Sequence, residues 1–217
     1  MKSIAKLHYI THALDGQSHA KAAEAACAAG VDWVQLRVKK QSEEVWLQEA
    51  QHTKAICRKY ASTFIINDNV ALAAAMDADG VHLGMTDMAP EEARRLLGPE
   101  KIIGGTANTF QDIQRLAGVG VNYIGLGPFR FSATKENLSP ILGLNGYKAI
   151  LKQCRAAGIR LPIIAIGGIV SSTVKEILET GVYGVAVSSG INMASEKTLA
   201  VKHYMQYLLA NDPNDVS

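Results

Sequence analysis

Gln35, Arg37 and Lys39 put an amide and two cations at alternate positions of an otherwise apolar segment, Gln35–Lys39, which follows the expected buried strand Val31-Asp32-Trp33-Val34. Successive side chains on a strand point to opposite faces, so these three share one face. Two cations on a half-buried face need an anion to meet them. Arg37 offers a planar fork for bidentate oxygen contacts and Lys39 a point charge. A diphosphate suits both. The competing reading is a strand end that frays into solvated charge.

Two carboxylates follow. Asp68 stands in Asn67-Asp68-Asn69 and Asp87 in Thr86-Asp87, each just past a predicted strand. Carboxylates of this kind can hold Mg²⁺, which takes oxygen ligands and keeps waters and substrate phosphates. The alternative for each is a helix N-cap, because a helix is expected from Val70 and another from around Pro90. Gly167-Gly168 follows the apolar run Pro162–Ile166, and Ser188-Ser189-Gly190 ends the next one. Glycine lets backbone N–H groups approach an oxyanion closely, so Gly168, Ser188 and Ser189 are expected to form a second phosphate pocket. The connection Phe129–Tyr147 is the longest and carries Ser132, Thr134 and Lys135. It is expected to be a lid, with a surface excursion as the alternative. His82 lies inside an apolar strand and reads as a hydrogen-bonded structural histidine. The other five histidines form no cluster visible in the sequence.

The elements that must position these residues alternate along the whole chain. Strands are expected at Leu7–Ile10, Trp33–Arg37, Phe64–Asn67, Gly80–Leu83, Ile102–Thr106, Tyr123–Gly127, Ile163–Ile166 and Gly184–Val187. Helices are expected at Ser18–Ala29, Ser42–Tyr60, Val70–Met76, Ala89–Leu97, Thr109–Ala117, Gly146–Ala157, Ser172–Glu179 and Glu196–Leu209. Eight βα units without a linker-like stretch predict one α/β domain over residues 1–217, a (β/α)₈ TIM barrel. A flavodoxin-like open sheet is the topological alternative. Four phrases, around Gly30, Gly80, Gly120 and Gly181, read as helix ends closing on a glycine before a strand. Active residues of such barrels sit at the C-terminal strand ends, where Gln35, Arg37, Lys39, Asn67, Asp68, Thr106, Gly168 and Ser188 are all expected.

Composition narrows the classes. The 217 residues are 48% hydrophobic and 19% charged, with formal net charge +2. That suits a chain with a sizeable core. No basic block or aromatic-interleaved basic stripe points to nucleic acid. No apolar run approaches a membrane span and no signal-peptide core is visible. The three cysteines, Cys27, Cys57 and Cys154, lie far apart without metal-type spacing, so they read as buried thiols in a reducing compartment. A soluble cytoplasmic protein is expected, with homo-oligomer formation left open.

These residues resemble the thiamine phosphate synthase family over nearly the whole chain. The matching motifs are VQLRVKK at 34–40, INDNVALAAAMDADGVHLGMTD at 66–87, YIGLGPFRFSATKEN at 123–137, PIIAIGGI at 162–169 and VAVSSGI at 185–191. The resemblance implies a Mg²⁺-dependent transferase that joins a hydroxymethylpyrimidine diphosphate to a thiazole phosphate and releases pyrophosphate. It implies that Gln35, Arg37, Lys39, Asn67 and Lys135 bind the pyrimidine diphosphate and that Asp68 and Asp87 hold Mg²⁺. It places Thr106, Ser132 and Thr134 around the substrates and pyrophosphate, and Gly168, Ser188 and Ser189 at the thiazole phosphate. Arg37, Lys39, Ser132 and Lys135 are the residues it implies for catalysis. The chain departs from the family pattern at Met85-Thr86, at Thr106-Ala107-Asn108-Thr109 and at Arg130-Phe131-Ser132.

Two other readings compete. A thiazole tautomerase-like isomerase would need proton transfer; that relative has a histidine where this chain has Asn108. A non-catalytic phosphate-binding barrel would explain the glycine pocket but not the two carboxylates.

Overall fold

The computed structural model describes residues 2–13, 17–131 and 140–210. Eight parallel strands close into a barrel in chain order: β1 (Leu7–Ile10), β2 (Trp33–Leu36), β3 (Thr63–Asn67), β4 (Gly80–Leu83), β5 (Ile102–Ala107), β6 (Tyr123–Leu126), β7 (Ile163–Ile166) and β8 (Gly184–Val187). Closure is made by β1 against β8, with Leu7 opposite Val185 and Tyr9 opposite Val187. The helices are α1 (His19–Ala28), α2 (Glu43–Lys59), α3 (Val70–Ala75), α4 (Pro90–Leu97), α5 (Phe110–Gly118), α6 (Gly143–Ala156), α7 (Val174–Leu178), α8 (Ser189–Asn192) and α9 (Lys197–Ala210). The expected barrel is found, and the open sheet is excluded.

Local chemistry sets the helix starts. Ser18 accepts from the Lys21 N–H and Ser42 from the Val45 N–H, while Thr109 and Asp112 form a capping box. Pro90 occupies the first turn of α4, where its missing N–H costs nothing. Most element ends fall within a residue or two of expectation, and three features differ in substance. Helix α6 begins at Gly143, so the tail of the expected Phe129–Tyr147 connection is helical. The one-turn helix α8 was not foreseen. The phrase Asp77–Gly80 also has another logic: Asp77 takes the positive φ of 44°, and Gly80 is needed for its size. A Cβ on Gly80 would stand 2.1 Å from the Ile102 carbonyl oxygen.

Alternation along the strands divides the core. Val34, Leu36, Phe64, Ile66, Ile124 and Leu126 face the helices, whereas Trp33, Ile65, Ile102, Tyr123, Ile164 and Ala186 fill the lumen. His8 stacks on Trp33 with ring centroids 4.2 Å apart and meets the edge of Tyr123 at 5.0 Å. The Tyr123 ring crosses the lumen because β5 offers Gly104 there; a Cβ on Gly104 would lie 2.2 Å from the ring. This aromatic plug is a rigid floor for whatever lies above it.

Candidate functional site

Counting on by two from each lumen residue reaches the predicted site. Trp33 leads to Gln35 and Arg37, Ile65 to Asn67, Ile102 through Gly104 to Thr106, Ile164 through Ile166 to Gly168, and Ala186 to Ser188. Strand parity turns Gln35, Asn67 and Thr106 into the C-terminal mouth, above the aromatic floor, and Arg37, Gly168 and Ser188 follow at the same strand ends.

The β2 and β3 ends are joined by side chains. The buried Gln35 donates its Nε2–H to Asn67 Oδ1 at 2.7 Å. Each amide keeps a second polar atom, an acceptor on Gln35 and a donor on Asn67. The Arg37 backbone N–H donates to Thr11 Oγ1 at 3.0 Å, and that hydroxyl also lies 2.8 Å from His19 Nδ1. Beyond it, the Lys39 ammonium is ion-paired to Asp68.

Both carboxylates are free of capping duty. Asn69, not Asp68, caps α3 through the Leu72 N–H at 2.9 Å. Helix α4 starts at Ala89 without a side-chain cap, and Asp87 Oδ2 instead accepts the Gly84 N–H at 2.6 Å. Asp68 adopts φ 66°, a left-handed conformation uncommon outside glycine. The turn is fixed by its N–H donating to the His82 carbonyl at 2.8 Å, and it presents the carboxylate to Lys39. The Asp87 carboxyl is held above its ordinary value of 3.8, first by burial and then by hydrogen-bonding and repulsion from Asp68; the Gly84 N–H and Lys39 pull the other way. Two carboxylates pressed together in this way fit a divalent cation, which would relieve their repulsion. Among the described residues no three His, Cys, Asp or Glu side chains converge. An ion here would draw its remaining oxygens from water and ligand, the habit of Mg²⁺.

Thr106 stands beside this pair. Its Oγ1 lies 3.0 Å from His82 Nε2, and His82 Nδ1 lies 3.0 Å from the Tyr123 hydroxyl. His82 is thus a bonded structural histidine, as expected. A cavity of about 140 Å³ lies between Thr106 and Asp87, bordered also by Gly84, Met85 and Arg115. A larger open hollow of about 430 Å³ lies at the opposite end of the barrel, among Lys2, Asp79, Glu100 and Lys101. There Lys2 and Asp79 are already ion-paired at 2.9 Å, and no predicted site residue is near.

On the far side of the mouth, Gly167 and Gly168 take φ 95° and 67°. The chain after β6 covers them: Phe129 N–H donates to Ile166 O at 2.8 Å and Arg130 N–H to Gly167 O at 3.1 Å. A Cβ on Gly168 would stand 2.9 Å from Arg130 Cβ and 3.0 Å from the Phe131 carbonyl oxygen. The pair is therefore demanded partly by its own chain. Ser188 Oγ accepts from Asn192 Nδ2 at 3.4 Å, and Asn192 Oδ1 accepts from the Tyr9 hydroxyl. Ser189 opens α8. Ser132, Thr134 and Lys135 lie outside the described residues, as does the rest of the expected lid between 132 and 139. Phe129 itself belongs to the core and packs against Tyr147 at 6.0 Å, a correction to its expected place in the lid.

Asn192 and Thr11 were not foreseen as parts of the mouth, and Asn108 was marked only as a departure from the family pattern. Parity could have found Asn108, two residues past Thr106. No sequence signal marks Thr11 or Asn192, whose links to Arg37 and Tyr9 span distant parts of the chain.

Comparison with known proteins adds an independent observation. The sequence profile of the family described as thiamine monophosphate synthase matches residues 7–191. A thiamine-phosphate synthase of Flavobacterium johnsoniae is 48% identical over 206 residues, covering 95% of this chain and 97% of that protein. One from Bacteroides fragilis is 45% identical over 199 residues, covering 92% and 98%. Among solved structures, a thiamine phosphate pyrophosphorylase from Pyrococcus furiosus superposes with a TM-score of 0.83 at 27% identity, covering 94% of this chain and 96% of that one.

Proposed function

The chain belongs to the thiamine monophosphate synthase family, and we propose that it couples a hydroxymethylpyrimidine diphosphate to a thiazole phosphate, yielding thiamine phosphate and pyrophosphate. The observation that carries this reading is the Lys39–Asp68–Asp87 cluster, at the same mouth as the Gln35–Asn67 amide pair, the Gly167-Gly168 turn after β7 and Ser188 after β8. Its components divide by chemistry. The amide pair offers an acceptor beside a donor, complementary to an aminopyrimidine edge. Arg37 and Lys39 supply positive charge for the diphosphate. Asp68 and Asp87 would hold Mg²⁺, which when bound adds positive charge at the diphosphate oxygens. Gly168, Ser188 and Ser189 take the single phosphate of the thiazole partner. From the sequence alone, Ser132, Thr134 and Lys135 join the diphosphate side.

These groups suit a dissociative step. The bond from the pyrimidine methylene to the diphosphate oxygen breaks, its electron pair leaves with pyrophosphate, and the thiazole nitrogen attacks the resulting cation. The protein's share is positioning and electrostatic stabilisation of the leaving group. The isomerase reading fits less well, because Asn108 offers no proton-transfer group and both its amide hydrogens are engaged by carbonyls.

Among the described residues no helix is long and apolar enough to cross a membrane. The three cysteines are free and buried, which supports a cytoplasmic setting. The deciding experiment mixes the two substrates with Mg²⁺ and measures pyrophosphate. Stoichiometric release with thiamine phosphate is expected. Release of neither, with a shift of the thiazole double bond, would favour the isomerase; binding without any turnover would favour the non-catalytic barrel.

A further inference from the structure

Asn108 is buried just past β5, and its side-chain amide donates two hydrogen bonds, each 2.9 Å, to the carbonyls of Gly127 and Pro140. Gly127 closes β6, and Pro140 begins the return to α6. The two stems lock further against each other and against β7. Leu142 N–H donates to Pro128 O at 2.9 Å and Gly143 N–H to Phe129 O at 3.2 Å, while Phe129 and Arg130 pair with Ile166 and Gly167. Asn108 is itself held, since its backbone N–H donates to Asp112 Oδ2 at 3.0 Å within the α5 cap. One amide nitrogen thus ties the ends of β5 and β6 to the segment that lies on Gly167-Gly168.

We infer that Asn108 is a positioning residue. It sets where residues 127–131 and 140–143 sit, and through them the Gly167-Gly168 turn at the single-phosphate subsite. The inference rests on the coupling reaction proposed above. The residue type follows from the geometry. A primary amide has two hydrogens on one planar nitrogen and can bridge two carbonyls; a carboxylate of the same shape has none, and would face both carbonyls with negative charge.

The test begins with the wild-type protein and both substrates, since absence of pyrophosphate release sinks the coupling reading rather than this inference. With release established, Asn108→Asp and Asn108→Ala should each lower kcat/KM for the thiazole phosphate by roughly 10- to 100-fold, the scale of a displaced binding geometry. Asn108→Asp should be the worse despite its matching shape, because it sets negative charge against both carbonyls. KM for the pyrimidine diphosphate should stay near wild type. Lower melting temperatures with kcat and both KM values unchanged would mean that the amide is only structural, and would overturn the inference. Should the variants fail to fold, or should the wild type release no pyrophosphate, the wild-type side chain is read by NMR. The Asn108 Nδ2 hydrogens must be protected from solvent exchange and must shift on titration with inorganic phosphate; solvent-rate exchange or no shift overturns it.

Discussion

The Lys39 ammonium is ion-paired to the Asp68 carboxylate across the ends of β2 and β3. One cation and one anion, each suited to a different part of a metal diphosphate, thus neutralise each other. Binding a metal diphosphate would exchange these partners, giving the phosphate to Lys39 and the metal to Asp68. In Lys39→Gln, Asp68 loses its competing cation. Mg²⁺ alone should then bind up to about fivefold more tightly, the upper end of the roughly 0.2–1 kcal/mol scale of an exposed ion pair. Turnover should nevertheless fall by about 10²-fold or more, as when one transition-state charge contact is removed. Calorimetric titration with MgCl₂ and steady-state rates check the two halves; weaker Mg²⁺ binding in Lys39→Gln would contradict the exchange.

Asp68 and its neighbour Asn69 differ in what they hold: Asn69 bonds the start of α3, and Asp68 pairs with Lys39. Asn69 caps α3, and Asp68 does not. Asn69→Ala should cost about 1 kcal/mol of stability and leave kcat near wild type. Asp68→Asn and Asp87→Asn should do the reverse, keeping the fold and abolishing most turnover at limiting Mg²⁺. Thermal melts beside initial rates decide it. Wild-type turnover in Asp68→Asn at limiting Mg²⁺ would remove the metal role.

Gly168 carries two constraints. Its φ of 67° disfavours any side chain, at about 1–2 kcal/mol. Its missing Cβ also leaves room for Arg130 and Phe131. Gly168→Ala should therefore lower stability by that amount and weaken thiazole phosphate binding together. Pyrimidine diphosphate binding, on the opposite side of the mouth, should change little. Separate titrations of the two ligands test the division, and equal loss of both would argue for one undivided site.

Most of the mouth was legible because a strand allows only two faces. Once Trp33 and Ile65 are lumen residues, Gln35, Arg37 and Asn67 have one place to go. The eight-unit alternation fixed closure in the same way. Asp68 was legible as a carboxylate but not in its turn, since a positive φ at a non-glycine residue has no sequence mark. The Asn108 bridge was hidden because its acceptors are backbone carbonyls, which every residue has. Gly167-Gly168 was read as a phosphate cradle, but half of its reason is the chain at Pro128–Phe131, which no local pattern reveals.

His8 supplies a test of the floor beneath the site. It is wholly enclosed, stacked on Trp33, and its Nε2 lies 3.0 Å from the Ala5 carbonyl. A neutral ring satisfies that carbonyl by donating Nε2–H. Burial first, and His82 second, lower its pKa from 6.5 to about 3. In the unfolded chain the same ring takes a proton near 6.5. Between about 3 and 6.5 the unfolded state therefore binds more protons, so stability falls as pH falls through that window. The slope from this residue approaches 1.4 kcal/mol per pH unit, the value of one proton. His8→Phe keeps an aromatic ring against Trp33 but cannot titrate. It should lose the Ala5 hydrogen bond, about 0.5–1.5 kcal/mol at neutral pH, and then narrow its deficit, and overtake wild type, as the pH drops toward 4. Urea unfolding of both proteins from pH 7 to 4 measures the difference in slope, in which all other titrating groups cancel. Parallel stability curves would show that His8 does not stay neutral in the folded barrel.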